Sequence, residues 1–439
     1  MPELPEVEVT RNALSRFCSN KEIISVRFSD VWKKQLLRDG SRFASFASED
    51  STEFGIGGLV GRKIESVSRV GKFYFIHLKN VENSIPESWT VIEGHLRMTG
   101  GWWLLPKGGE WPENFPDKYC HLHIEFKDGS KAVYRDVRRF GTLRLMTNEE
   151  YLARYFKYLN ADVLVLCEAP SNPAFIQKFV NQYLDGNYDL VHNSNVVRNK
   201  KYYFNQQVAA LVRKDLFNIR RYEALKNEQV TSMNKRYPYP ESRTASLNGK
   251  PTQIYWSRFP IEFDLELKAN PGHFYKFIVT YPKAKIGKGK LKKLKARLQN
   301  AIQQKMIRER VETIAKDFED YFVLGDMNDM PGLDSYEKEI GLDGFGTLMP
   351  ANDSLLFNPI SFGEGEGTYI YKNQPQVIDY ILASKGLLKG KGQVKPKVFE
   401  HFHFFQTMVR NKRRARPDRM LNRELFLSDH APLTLDVIH

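Results

Sequence analysis

The chain has 439 residues, room for two or three domains at roughly 150 residues each, and 66 Lys and Arg against 52 Asp and Glu leave a formal charge of +14. Apolar and charged fractions of 41% and 27% exclude a fibre and a wholly disordered chain, while the positive balance favours a phosphate-rich partner. Three cysteines, Cys18, Cys120 and Cys167, cannot build a disulfide framework or a four-cysteine zinc site. No run approaches the ~20 apolar residues of a membrane span, and the acidic start lacks the layout of a signal peptide. The expectation is an intracellular, cytoplasmic protein with no membrane partner.

In chain order, a helical segment comes first, around Val7 to Phe17. From about 60 to 147 short β-branched and aromatic runs alternate with turn residues: Phe73–Leu78, Trp89–Ile92, His121–Phe126, Lys131–Tyr134 and Thr142–Met146, with Asp128-Gly129 as a hairpin signal. That pattern predicts an antiparallel β-sandwich with a flanking helix. At Asn148 the texture turns helical, with Glu149 and Glu150 where acids favour a helix start, and Tyr151, Leu152, Tyr155, Phe156 and Leu159 as an apolar stripe. The run Val163–Leu166 then reads as a buried strand ending in Cys167-Glu168. Val208–Val212, Phe277–Thr280, Phe322–Leu324 and Val377–Leu382 repeat the theme, which predicts an α/β layered sandwich. The whole is an α+β multidomain chain, with domains expected at 1–147 and 148–439.

Loss of Met1 would leave Pro2 as a terminal secondary amine. Such an amine attacks a sugar aldehyde carbon to give an iminium, an electron sink for eliminating a neighbouring phosphate, and Glu3 beside it can move the protons. Met1–Glu8, Arg69–Phe73, Gly94–Gly100, His121–His123 and Asp136–Gly141 stand in the order seen in formamidopyrimidine-DNA glycosylases, which residues 1–147 resemble. The resemblance implies Pro2 as nucleophile, Glu3 as acid/base, and Lys72 on DNA phosphate. It also implies Met98, Arg138 and Phe140 filling the hole left by a flipped base, since apolar or planar groups must replace a base taken out of the stack. On a strand-rich domain Met98 and Phe140 could instead be core. Arg97 stands where the family has a glycine and Val137 where it has a proline. The family's helix-two-turn-helix domain and zinc finger do not follow, so no zinc is expected and glycosylase activity is in doubt.

Later in the chain Glu168 ends a strand, Gly325-Asp-Met-Asn-Asp329 follows another, Asp379 lies within a third, and Ser428-Asp-His430 precedes the last. Hydrolysing a phosphate ester needs a divalent cation on oxygen ligands, a group that polarises water, and donors for developing charge. With Ala161–Glu168, Val208–Arg213, Tyr281–Lys285 and Arg297–Gln299, these segments resemble the endonuclease/exonuclease/phosphatase superfamily over about 158–439. The resemblance implies a four-layer α/β sandwich using Mg²⁺ or Mn²⁺. It assigns Glu168 and Asp429 to the metal, Asp326 to water, Asn328 to the phosphate, and His430, held by Asp379, to general-base or phosphate-donor work. Tyr281 stands where many members have His, and its phenol can still donate to phosphate. Cys167, where many have Gln, reads as a small buried residue. The family's opening strand, ending in an Asn, is missing; residues 142–147, the helix after them and the strand 162–167 could supply a β-α-β unit with Asn148 as stand-in, or Asn148 is only a helix cap.

Lys283, Lys285, Lys288, Lys290, Lys292, Lys293, Lys295 and Arg297 form one basic run, and Arg410 to Arg419 another; each is either a phosphate-binding surface or a solvated face. The favoured expectation is a DNA-repair-type hydrolase, a glycosylase/AP-lyase-like part joined to a metal-dependent phosphodiesterase acting on damaged or abasic duplex DNA. Two other readings stay open: a phosphatase of small or lipid phosphates with a non-catalytic first part, and an artefactual fusion. Oligomeric state is not legible.

Overall fold

A computed structural model describes residues 4–30, 59–70, 72–80, 91–113, 115, 117–170, 172–192, 207–221, 242–256, 258–360, 367–371, 374–389, 394–398 and 433–437. They separate after Asn160 into two compact units.

The first unit opens with the helix Leu4–Cys18, followed by strands β1 (Ile23–Phe28), β2 (Arg62–Val70), β3 (Phe73–Asn80), β4 (Val91–His95), β5 (Gly100–Leu105), β6 (Cys120–Phe126), β7 (Lys131–Asp136) and β8 (Thr142–Met146). They make two four-stranded antiparallel sheets, ordered β1-β6-β7-β5 and β2-β3-β4-β8. Alternation explains the common core: Val26 and Phe28, Tyr74, Ile76 and Leu78, Leu122, Ile124 and Phe126, and Leu143 and Leu145 recur at every second position. Val7, Leu14 and Cys18 of the helix close the same cluster. The hairpin read at Asp128-Gly129 forms, with Gly129 at φ +85° and Asp128 accepting from the Ser130 amide at 2.9 Å.

The helix Asn148–Leu159 belongs to this unit. Thr147 is its N-cap, in a reciprocal box with Glu150. Its Tyr151 ring lies 4.7 Å from that of Phe75 and shares a hydrogen bond with Ser68. The expected β-α-β unit over 142–167 is therefore overturned. β8 pairs antiparallel with β4, from His95 opposite Thr142 to Val91 opposite Met146, because Leu143 and Leu145 fill the first unit's core. Asn148 is neither the start of a crossover nor the cap; it sits in the helix's first turn, behind Thr147.

The second unit holds β9 (Val163–Ala169), the helix Pro173–Tyr183, β10 (Tyr188–His192), β11 (Gln207–Arg213), β12 (Phe217–Arg221), β13 (Ser242–Leu247), β14 (Lys250–Tyr255), β15 (Ile261–Leu267) and β16 (Phe274–Val279). The 25-residue helix Lys290–Ile314 leads to β17 (Tyr321–Asp326), β18 (Leu356–Phe357), β19 (Tyr369–Tyr371), β20 (Gln374–Gln376), β21 (Asp379–Ser384), β22 (Val394–Val398) and β23 (Leu433–Val437). The main sheet is ordered β12-β15-β16-β17-β21-β18, with β16 and β17 parallel across the long helix; β9, β10 and β11 form a three-stranded antiparallel sheet. Side chains of β17 alternate: Val323 joins Met306, Ile307, Val311 and Ile314 of the long helix, while Phe322 and Leu324 join Val208, Ala210 and Val212 of β11. Both faces of β17 are thus buried, and the candidate site residue Asp326 comes at its C-terminal end. Among the described residues, no helix is long and apolar enough to cross a membrane.

Candidate functional site

In the first unit Asp136, at the end of β7, is fully buried and organises the loop that follows. Its carboxylate accepts from the Thr99 hydroxyl, from the Arg138 amide at 3.2 Å and from the Gly141 amide at 2.6 Å. Gly141 is required there, since a Cβ would lie 1.9 Å from the Tyr134 hydroxyl. Held this way, the loop presents Arg138, whose Nη1 lies 3.3 Å from Met98 Sδ and whose guanidinium is 4.8 Å from the centre of the Phe140 ring. Met98 is 51% and Phe140 45% exposed, so neither is core, and the trio expected from the sequence is one exposed cluster. Arg97, in place of glycine, takes φ +52°, the left-handed backbone a glycine would adopt without strain. Lys72 is half-buried near His95; burial first, then Arg97 and Lys72, hold that imidazole below its ordinary value. Glu8 joins Arg11 and Arg69 in an ion-paired set. Pro2 and Glu3 lie outside the described residues.

In the second unit, strand ends bring the expected residues together. Asp326 and Asp379 are direct partners across β17 and β21. Asn328 donates from Nδ2 to the Pro282 carbonyl at 3.2 Å and to Asp326 Oδ2 at 3.1 Å, and its amide donates to Asp326 Oδ1 at 2.7 Å. The Tyr281 hydroxyl donates to Glu168 Oε1 at 2.7 Å. Burial raises the Tyr281 phenol far above its ordinary value, Arg258 opposes this, and Asp326 and Glu168 add to it, so the phenol stays a donor. Burial likewise raises the Cys167 thiol, with Asp326 and Asp379 contributing, which keeps it from serving as a thiolate. Backbone strain gathers here: Glu168 takes φ +63° and Asn328 φ +49°, conformations that cost of order 1–3 kcal/mol and cluster at functional sites.

Two residues that sequence reasoning missed belong to these clusters. Arg258 lies 3.4 Å from the centre of the Tyr281 ring, placing a cation beside Tyr281, Glu168 and Asp326. Nothing local marked it, because its role comes from packing against a strand end far along the chain. Asp136 did carry a signal, an Asp whose carboxylate meets the amide two residues on, as in an Asx turn.

Glu168, Asp326 and Asp379 offer only oxygen donors, the chemistry that Mg²⁺ and Mn²⁺ take. Among the described residues no group of three or more His, Cys, Asp or Glu side chains could hold a metal ion by itself. Asp429 and His430 lie outside those residues, as do Arg410 to Arg419.

The N-terminal part is 35% identical over 157 residues to a formamidopyrimidine-DNA glycosylase of Streptococcus pyogenes serotype M3, covering 36% of this chain and 47% of that protein. It is 38% identical over 155 residues to one of Bacillus licheniformis, covering 35% and 46%. The chain thus spans about half the length of these curated relatives. A crystal structure of Lactococcus lactis Fpg with DNA containing an abasic site aligns at 25% identity and a TM-score of 0.26, over 36% of this chain and 48% of that one. Residues 1–143 match the formamidopyrimidine-DNA glycosylase N-terminal domain, and residues 267–438 match the endonuclease/exonuclease/phosphatase family.

Proposed function

We propose that the chain is a DNA-repair-type hydrolase joining a glycosylase/AP-lyase-like part to a divalent-metal-dependent phosphodiesterase, with damaged or abasic duplex DNA as substrate. The observation that carries this is the convergence of Glu168, Tyr281, Arg258, Asp326, Asn328 and Asp379 at strand ends of one unit. It occurs in a chain whose first third is 35–38% identical to DNA glycosylases. The second unit is read as a four-layer sandwich and the first as a β-sandwich.

Each group has a physical role in this reading. Arg258 would meet the charge that develops on phosphate, in a partly dry site where such donors act strongly, and the Tyr281 phenol, whose one O–H goes to Glu168, would hold that carboxylate beside it. Asp326 is buried and accepts from the backbone and side-chain amides of Asn328, which fix its carboxylate to orient water, with Asn328 on the side of the site where the phosphate would lie. Asp379 would hold His430 as general base or phosphate donor. Mg²⁺ or Mn²⁺ on Glu168 and Asp429 would polarise the phosphoryl oxygen. In the first unit the Met98, Arg138 and Phe140 cluster would replace an extruded base, Lys72 would hold phosphate, and Pro2 with Glu3 would run the iminium chemistry.

Borohydride trapping on abasic DNA is expected to capture a covalent adduct at Pro2; its absence from a correctly processed terminus overturns the lyase part. Metal-dependent cleavage of abasic duplex is expected to fall at least a hundredfold in Glu168→Ala and in His430→Ala. Intact cleavage in either variant overturns the site. Hydrolysis of inositol or sugar phosphates without cleavage of DNA would favour the small-phosphate reading instead.

A further inference from the structure

The helix Lys290–Ile314 carries three enclosed polar side chains in its middle: Asn300 at 0%, Gln303 at 1% and Gln304 at 0% exposure. Steps of three and four residues set them on one face. An unpartnered buried amide costs about 1–3 kcal/mol, so the partners reveal what this face is for. Asn300 Nδ2 donates to the Lys283 carbonyl at 2.9 Å and to the Met327 carbonyl at 3.0 Å. Gln303 accepts from the Lys283 amide at 2.7 Å and donates to the Tyr255 carbonyl at 2.9 Å. Gln304 donates to Asn300 Oδ1 at 2.7 Å and to Asp329 Oδ2 at 2.9 Å.

The three backbone segments held this way each deliver a site residue. Tyr255 is three residues before Arg258, Lys283 is two after Tyr281, and Met327 stands between Asp326 and Asn328. None is joined to another by a short chain path; Asn328 bonds Pro282 directly, and the helix adds a reference that all three segments share, the Tyr255 segment included. We propose that Asn300 and Gln303 are positioning residues: through backbone bonds to these segments, one rigid helix sets the distances among Arg258, Tyr281, Asp326 and Asn328. They touch no substrate; they act by fixing groups that do, where displacement of about 1 Å can cost a hundredfold in rate. This inference rests on the phosphodiesterase reading.

The test uses the full chain with abasic duplex DNA and Mg²⁺. Asn300→Leu and Gln303→Met keep side-chain length and remove the polar atoms. Ile307→Ala is the control: Ile307 is fully buried on the same helix in the apolar cluster that includes Met327, and its side chain has no polar atom, so the substitution lowers stability without removing a hydrogen bond to the three segments. The two polar variants are expected to lose tenfold to a hundredfold in kcat with KM within threefold, while Ile307→Ala keeps kcat despite a lower unfolding midpoint. Amide hydrogen exchange at Lys283 is expected to quicken at least tenfold in Gln303→Met, a readout that needs no activity. Wild-type kcat in both folded polar variants, or unchanged exchange at Lys283, overturns the proposal, and so does an equal loss of kcat in Ile307→Ala. An inactive parent chain would instead count against the phosphodiesterase reading, with the exchange measurement still deciding the brace.

Discussion

At Gly325 the backbone takes φ +138°, and a Cβ there would sit 2.0 Å from the Thr280 carbonyl oxygen. This close approach lets β17 end against the segment that delivers Tyr281. Gly325→Ala is expected to destabilise the second unit by about 2–3 kcal/mol and to abolish metal-dependent cleavage, read by urea unfolding and by a gel assay on abasic duplex. His77 makes a comparable statement about pH. It is buried beside Ser68 and Tyr151, and burial pushes its imidazole down to about 4. Between about pH 6.5 and 4 the unfolded chain binds a proton that the folded unit refuses, so stability is full above pH 6.5 and is lost as pH falls through that window. The loss amounts to about 3 kcal/mol. Urea midpoints at pH 7 and 4.5 are expected to differ less in His77→Gln than in the parent; an equal difference removes His77 as the cause.

The basic run that starts after β16 and continues into the long helix looks uniform in sequence but divides by environment. Lys285 is drawn in between Asp329 and Glu337, Arg297 pairs with Asp334 at 2.7 Å, and Lys290 pairs with Glu339 at 2.9 Å. Burial raises the Asp329 carboxyl to about 6, with Lys285 opposing. The Lys285 and Arg297 pairs are inner ties that hold the loops after β16 and β17 together, while the Lys290 pair lies on the surface. Lys288, Lys292 and Lys295 are exposed, next to Ile286 and Leu291, which are 71% and 64% exposed. An exposed cationic and apolar segment leading away from Tyr281 suits a duplex with a phosphate backbone and a groove. Replacing Lys288, Lys292 and Lys295 with Ala is expected to lower the slope of log affinity against log salt by up to about 0.9 per lysine, measured by anisotropy with labelled abasic duplex. An unchanged slope would make the segment a solvated face.

On the scale of the whole chain, two units have separate cores, and the two chemistries proposed for them have different needs. The amine chemistry proposed for Pro2 requires no metal, whereas the hydrolysis proposed for the carboxylate site does. EDTA is therefore expected to leave borohydride trapping intact and to remove hydrolytic strand cleavage, resolved by the different sugar ends of the products. Loss of both on chelation would place all activity in the second unit.

Much of this was legible in the sequence. β3, β6, β7, β8, β11 and β17 followed from runs of β-branched and aromatic residues, and the trio of Met98, Arg138 and Phe140 from motifs lying some forty residues apart. Those signals are local or sit in short segments, so composition and order were enough to pick out the elements, while the candidate residues of both sites came from resemblance to two families. The destination of the helix Asn148–Leu159 was not legible, because an amphipathic stripe states that one face is buried without stating against what. Tyr281 and Glu168 meet across 113 residues of chain, and Arg258 and Asn300 join their site only through packing and backbone bonds. Which strand ends share a sheet edge, and which buried amide holds which loop, depend on the closed core, and only the tertiary structure decided them.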